Sequence, residues 1–221
     1  MNDFRLALIS GKNTAESQHQ DYVDAYHFWR NTWTDTFKNL SVHSPVFSDA
    51  FTRQDSIGAI FFKGQCIAST FFRKVDLSHI ASQHDSYFSN WPHETIEKLT
   101  AEGSQIIVCS YFSIHPDFRR MQIGLSMKDL LLGFVVKYLL ESDAVALCGT
   151  PRTDKAMNLA CTRWGASTLN EQVDSGYGVN IDLVGFFKSR ITPNELPILY
   201  RQIEAQWGNM FPDFVAIRKA A

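Results

Sequence analysis

Residues 105–148 constrain the fold of this chain more than any other segment. Residues 105–114 have the apolar, β-branched pattern of a strand, and residues 144–148 have that of a second, buried strand. Between them, residues 123–141 repeat apolar side chains at helical spacing. Two strands joined through a helix run parallel in one sheet, so this segment predicts a β-α-β unit.

The rest of the chain adds strands and helices to this unit. We predict strands at 4–9, 56–62, 66–75, 171–177 and 179–187, and helices at 18–38, 93–100, 153–163 and 195–207. Lys63-Gly64-Gln65 is a three-residue connection typical of an antiparallel hairpin. Residues 76–103 form an insertion that either shapes a pocket or connects elements. This order predicts an α/β (α+β) fold, a mixed central sheet with helices on both faces.

Length and charge restrict the class of protein. The 221 residues contain no linker-like segment, which favours a single domain. A formal net charge of -2 and a pI near 6.4 argue against nucleic acid as the main partner. The apolar runs at 6–9 and 130–136 are too short for a signal-peptide core and a membrane span. We therefore expect a soluble, cytoplasmic protein, with a homodimer as one open oligomeric state.

The cysteines and histidines do not have the spacing of a metal site. Cys66, Cys109, Cys148 and Cys161 are far apart, and each lies in an apolar segment. We therefore interpret them as buried thiols, and we predict no metal. An aromatic series on the first helix, Tyr22, Tyr26, Trp29 and Trp33, is more typical of a core face than of a ligand platform.

The turn after the strand at 105–114 is the candidate binding element. Phe112-Ser113-Ile114-His115-Pro116-Asp117-Phe118-Arg119-Arg120 leads through Met121 and Gln122 to the predicted helix, with Gly124 in its first turn. The first N–H groups of a helix lack intrahelical partners and favour anions. Arg119 and Arg120 add positive charge there. The alternative is a β-α-β crossover of another α/β fold, in which both arginines are solvated.

This turn resembles the acetyl-CoA motif of the GNAT N-acetyltransferases, Arg/Gln-x-x-Gly-x-Gly/Ala after a Pro-x-(Tyr/Phe)-Arg. Arg119 takes the first place and Gly124 the last, while Gln122 stands where a Gly is usual. The resemblance covers residues 105–187 and implies a splayed strand pair that admits a phosphopantetheine arm. It implies donor contacts from Ile114, Arg119, Arg120, Gln122, Ile123, Gly124, Leu125 and Asn158.

The same resemblance suggests where proton transfer takes place. The family often has a Glu on the strand before the turn, where this chain has Ser110 and Tyr111. Both side chains could pass a proton along a water chain. The family's Tyr, which protonates the leaving thiolate, stands where this chain has Cys161. Tyr111, Ser110 and Cys161 are therefore the candidate catalytic residues. Val108, Ser110, Phe112 and Ile114 should share one strand face, and Cys109, Tyr111 and Ser113 the other.

A looser resemblance covers residues 22–114. Their layout is similar to that of acyl-homoserine-lactone synthases and N-acyl amino acid synthases, which draw acyl chains from acyl carrier protein or CoA. Lactone synthases carry Glu-x-Ser-Arg on the strand before the turn, whereas this chain has Val108-Cys109-Ser110-Tyr111. Loss of both charged residues argues against lactone formation.

Together these features predict an N-acyltransferase that moves an acyl group from acyl-CoA or acyl carrier protein to a small amine. Residues 1–104 would form the acceptor and acyl-pocket half, 105–187 the acyl-CoA-binding core and 188–221 a C-terminal helix. Two alternatives stay open: a catalytically inactive acyl-CoA-binding sensor or regulatory domain, and an interaction protein on an unrelated α/β scaffold.

Overall fold

Seven strands form one mixed sheet in the computed structural model, which describes residues 4–119 and 126–210. The strands are Phe4–Ser10 (β1), Ser56–Phe62 (β2), Gln65–Asp76 (β3), Gln105–Ile114 (β4), Ala146–Gly149 (β5), Ser167–Asp174 (β6) and Asn180–Phe187 (β7). Their order across the sheet is β1-β2-β3-β4-β5-β7-β6. β4 and β5 pair in parallel, whereas β1 with β2, β2 with β3, β5 with β7 and β6 with β7 are antiparallel. The predicted α/β fold and the β-α-β unit are confirmed.

Seven α-helices accompany the sheet within the described residues. They are His19–Asn39 (α1), Asp49–Thr52 (α2), Ile80–Gln83 (α3), His93–Leu99 (α4), Met127–Glu141 (α5), Met157–Arg163 (α6) and Leu199–Met210 (α7). None of these helices has both the length and the apolar character that a membrane crossing requires.

The described chain groups into two compact units. The first contains residues 4–73, 111–119, 126–137 and 198–210, and the second contains residues 74–110 and 138–197. In the first unit, Trp29 of α1 is fully buried against Phe51 and Phe71. Tyr22, Tyr26 and Trp33 pack against the same cluster. The aromatic series on α1 is therefore a core face, as predicted.

The 76–103 insertion contributes large side chains to the core of the second unit. Phe88, Trp91, Ile96 and Leu99 of that segment pack with apolar side chains of β4, β5 and β7. Burial of these large side chains contributes roughly 1.5–3 kcal/mol each. The insertion therefore supplies a wall of the core rather than a simple connection.

Several predicted boundaries are wrong, each for a local reason. The hairpin turn has two residues, Lys63 and Gly64, with φ of 49° and 84°; this is the double left-handed pattern of a tight hairpin. α6 begins at Met157 rather than 153, because Ala156 before it is left-handed. The last helix begins at Leu199 rather than 195, because Pro197 holds Leu196 in extended backbone at ψ of 156°.

The helix after the motif turn also begins later than predicted. It starts at Met127 rather than 123, and Ser126 caps it. The Ser126 hydroxyl accepts from the Asp129 N–H at 3.2 Å, and its carbonyl accepts from the Leu130 N–H at 2.9 Å. The predicted place of Gly124, in the first turn of the helix, lies outside the described residues.

Candidate active site

The parallel pairing of β4 with β5 is short. It joins Ile106, Ile107 and Val108 to Ala146, Leu147 and Cys148, and no further pair joins these two strands within the described residues. β4 nevertheless continues to Ile114. Gly149 has no side chain at the point where pairing stops, and a Cβ there would lie 3.7 Å from the Cys109 carbonyl oxygen. We call this region, from Val108 and Cys148 to Cys109 and Gly149, the strand-parting site.

Thiol and hydroxyl groups surround the strand-parting site. Cys148 is buried, whereas Cys109 is only partly buried, so the prediction that all four thiols are buried is wrong for Cys109. The hydroxyl of Tyr87, from the insertion, lies among Thr150, Cys148 and Cys109, and burial raises its pKa well above the ordinary value. The hydroxyl therefore keeps its proton at neutral pH. Sequence reasoning missed this residue, because nothing local in residues 84–92 indicates which aromatic side chain reaches the sheet.

Tyr111, the first predicted catalytic residue, has unusual backbone geometry. Its φ of 54° places it in the left-handed region, in the middle of a strand. Its ring packs edge-on against Trp29 and Trp33, with centroids 5.5 and 5.0 Å away. Trp33 Nε1 donates to the Ser113 hydroxyl at 2.9 Å, and that hydroxyl donates to the Tyr111 carbonyl at 2.8 Å. The kink interrupts the strict alternation on which the predicted strand faces depended.

The other predicted catalytic residues lie in the second unit. Ser110 is partly buried on β4, next in the chain to the strand-parting site. Cys161 is buried on α6, with 5% of its surface exposed. Asn158, on the same helix, donates from Nδ2 to Asp182 Oδ2 at 2.7 Å, and Asp182 also accepts from the Gln172 N–H. The amide nitrogen is therefore engaged inside the unit, whereas Oδ1 is buried without a hydrogen-bond partner among the described residues. The role of Asn158 in donor binding stays a prediction.

The described start of the motif turn is held by its own side chains. Arg119 Nε donates to the Ile114 carbonyl at 2.9 Å, and the Asp117 N–H donates to His115 Nδ1 at 3.3 Å. The His115 N–H donates to the Ile67 carbonyl of β3. Arg119 is exposed, so its charge remains available to an anion. The predicted donor contacts at Arg120, Gln122, Ile123, Gly124 and Leu125 lie outside the described residues.

An open groove of about 670 Å³ lies beside this turn in the first unit. His115, Pro116 and Arg119 line one part, and Gly64 and Gln65 another. The remainder is the polar side of α1, including Asp24, His27, Asp35 and Lys38. Its lining mixes both signs of charge. Within the described residues, no cluster of three His, Cys, Asp or Glu side chains could hold a metal ion.

This chain is similar to known proteins in structure, but its sequence is not similar to theirs. No family model matches the chain, and no curated protein matches it by sequence. FeeM, an N-acyl amino acid synthase from uncultured soil microbes, is 12% identical with a TM-score of 0.55, over 92% of this chain and 97% of FeeM. The CoA-dependent acyl-homoserine lactone synthase BjaI, solved with SAM and isopentyl-CoA, is 12% identical with a TM-score of 0.60, over 91% and 90%.

An N-acetyltransferase from Staphylococcus aureus Mu50 is 7% identical, with a TM-score of 0.51, over 84% of this chain and 98% of the other. At these identities the likeness concerns the fold. This chain has the fold shared by GNAT N-acetyltransferases, acyl-homoserine-lactone synthases and N-acyl amino acid synthases, which confirms both resemblances drawn from the sequence.

Proposed function

We propose that this chain transfers an acyl group from an acyl thioester, acyl-CoA or acyl carrier protein, to a small amine. The observation that carries the proposal is the early end of the parallel β4–β5 pairing at Val108 and Cys148. In this proposal a phosphopantetheine arm lies beside β4 beyond the last residue that pairs with β5. The neighbours of known activity are acyl-transferring enzymes by their names, and one of them was solved with isopentyl-CoA.

In this proposal the thioester and the phosphates of the donor each have their own candidate residues. The thioester lies at the strand-parting site. Arg119, together with Ile114, Arg120 and residues 122–125, would bind the phosphates. Arg119 uses Nε to hold the Ile114 carbonyl, so the N–H groups of its two terminal guanidinium nitrogens would be the ones that bind phosphate.

The reaction is a direct attack of the amine on the thioester carbonyl. The C–N bond forms, the C–S bond breaks with its electron pair passing to sulfur, and the ammonium proton leaves to solvent. Neither Ser110 nor Tyr111 is a strong base at neutral pH, so in this proposal they do not keep that proton but pass it along a water chain to solvent. The acceptor is a small amine, and an amino acid is one candidate because FeeM is an N-acyl amino acid synthase.

Two measurements test the proposal. Thiol release should appear when acetyl-CoA, longer acyl-CoAs or acylated carrier protein are incubated with the protein and a panel of amines and amino acids. CoA alone should raise the unfolding temperature, because a ligand at 100 times its Kd stabilises the folded state by about 2.7 kcal/mol. The proposal would be contradicted if no donor gave thiol release and no donor stabilised the protein.

A second candidate is an acyl-CoA sensor without turnover. One observation favours it. The family's Tyr that protonates the leaving thiolate is replaced in this chain by Cys161, which is buried on α6. Stabilisation by CoA without thiol release from any donor and amine would support the sensor. Steady release above the rate of uncatalysed hydrolysis would exclude it.

A further inference from the structure

The hydroxyl of Tyr87 is a buried polar group without a hydrogen bond. Its oxygen is inaccessible, and within the described residues no partner meets hydrogen-bond distance and angle. Leaving a buried hydroxyl without a partner costs about 1–3 kcal/mol. Such a group is uncommon in a native fold, so it indicates either a ligand or an unexplained cost.

The position of Tyr87 is nevertheless well fixed. The Tyr87 N–H donates to Asp85 Oδ1 at 2.9 Å, which caps the short 3-10 turn Ser86–Phe88. The ring packs against Phe88 and Trp91, with centroids at 5.2 and 6.1 Å. The side chain is therefore held by packing and by its backbone, and the hydroxyl contributes nothing to that placement.

The hydroxyl is directed at the strand-parting site. Its polar neighbours are Thr150, Cys148 and Cys109, which flank the point where β4 and β5 stop pairing. The contacts with Thr150 and Cys148 fall outside normal hydrogen-bond geometry. The surrounding cluster is apolar and includes Val108 and Leu183. In such a low-dielectric environment, a fixed O–H dipole interacts strongly with any charge that develops beside it.

Two further polar atoms of the same segment resemble the Tyr87 hydroxyl in their burial. Trp91 Nε1 and Thr95 Oγ1 are also buried without hydrogen-bond partners among the described residues. Trp91 packs against the Tyr87 ring, and an indole N–H can only donate. The insertion thus brings three buried polar atoms without partners in the described chain to the second unit, and the hydroxyl of Tyr87 is the one beside Cys148.

We propose that Tyr87 is a catalytic residue whose hydroxyl donates a hydrogen bond to the thioester sulfur while the C–S bond breaks. This inference rests on the proposed acyl transfer. The sulfur takes the electron pair of the broken bond and becomes a thiolate. Tyr87 retains its own proton throughout, and the thiolate is protonated by solvent after release. Tyr87 would stabilise the leaving group from the insertion, whereas the family places a Tyr where this chain has Cys161.

The first test is Tyr87→Phe, which removes only the hydroxyl. We expect kcat to fall about 10- to 100-fold, because one hydrogen bond to a developing charge is lost in the transition state. The Kd for CoA should change less than threefold. The unfolding temperature should stay equal or rise, because no native hydrogen bond is lost. A purely structural role predicts no change in kcat.

The matched control is Tyr200→Phe on α7. Tyr200 is also buried, but its hydroxyl donates to Glu204 at 3.4 Å. This variant should lose some stability and keep the parent kcat. If Tyr87→Phe were poorly folded, 3-fluorotyrosine at position 87 would replace it as the test. The fluorinated ring keeps its shape and has a stronger O–H donor, so kcat should rise, whereas a purely structural role predicts an unchanged kcat.

A leaving-group comparison separates the proposed role from general damage to the site. With a donor whose thiol has a low pKa, such as an S-aryl thioester, less stabilisation of the thiolate is needed. The deficit of Tyr87→Phe should therefore shrink relative to acyl-CoA. If the parent is active and Tyr87→Phe has the same kcat, the role of Tyr87 is wrong. It is also wrong if the variant has an equal deficit with both donors. Both results leave the proposed acyl transfer in place. A parent that releases thiol from no donor overturns the proposed function and this inference with it.

Discussion

Tyr111 combines two opposing effects in one residue. A left-handed backbone costs a residue with a β-carbon about 1–2 kcal/mol, which its ring offsets by packing with Trp29, Trp33 and Phe71. Tyr111→Ala would lose the packing and keep the strain, whereas Tyr111→Gly would lose both.

We therefore expect the Gly variant to be more stable than the Ala variant by about 1 kcal/mol, although Gly is normally the weaker residue in a strand. Urea unfolding of the two variants measures this difference. An Ala variant as stable as the Gly variant would show that the kink is not strained.

Arg119 provides a test of the phosphate turn at the same scale. Arg119→Glu reverses an exposed charge and removes the hydrogen bond to the Ile114 carbonyl. We expect CoA binding to weaken at least tenfold, while the free energy of unfolding changes by about 1 kcal/mol or less. Arg53→Glu, an exposed charge reversal after α2, controls for the change in net charge. Calorimetry with CoA should find equal affinity in Arg53→Glu and in the parent; equal affinity in all three proteins would remove Arg119 from the site.

At the scale of elements, the sequence predicted strands better than it predicted helix starts. The bounds of β2 and β4 are those predicted, because each is a run of apolar residues that ends at a turn or a proline. α5 was predicted to start at 123, although Ser126-x-x-Asp129 is itself the signature of a helix start. The apolar residues before Ser126 continued the helical period and concealed that signal.

The cap of α5 can be tested directly. Ser126→Ala removes the acceptor for the Asp129 N–H, so we expect a loss of about 1 kcal/mol in the free energy of unfolding. Ser126→Asp keeps an acceptor at the cap and should lose less than half as much. Chemical denaturation of both variants gives the comparison. Equal losses would mean that Ser126 stabilises the helix by something other than its side-chain oxygen.

At the scale of the whole molecule, the sequence predicted the fold, and the site residues stay predictions. A β-α-β unit, a hairpin and a proline turn each have a local signal, so their combination led to the GNAT fold. Tyr87 has no such signal, because its position depends on how the insertion packs against β4 and β5. Long-range packing of this kind is not encoded in a short window, so the sequence alone led to Cys161 and not to Tyr87.

The carboxylates with lowered pKa values predict how the molecule responds to acid. Hydrogen bonds from Ser78 and Ser104 lower the pKa of Asp76 to about 2. The pKa values of Glu102, Asp143 and Asp154 are lowered by hydrogen bonds from Ser189, Lys74 and Arg152 respectively. All four carboxylates belong to the second unit.

A carboxylate whose pKa is lower in the folded state stabilises the fold above its unfolded pKa of about 4, and this contribution is lost as pH falls through the folded pKa. We therefore expect the unfolding temperature to be nearly constant from pH 7 to pH 5 and to fall between about pH 4 and pH 2. Asp76→Asn should have a lower unfolding temperature than the parent at pH 7 and a smaller fall at low pH, because an amide does not titrate.

Glu171→Gln, an exposed substitution on β6, changes net charge equally and should follow the parent curve. Parallel curves for Asp76→Asn and the parent would show that Asp76 does not contribute to the acid transition.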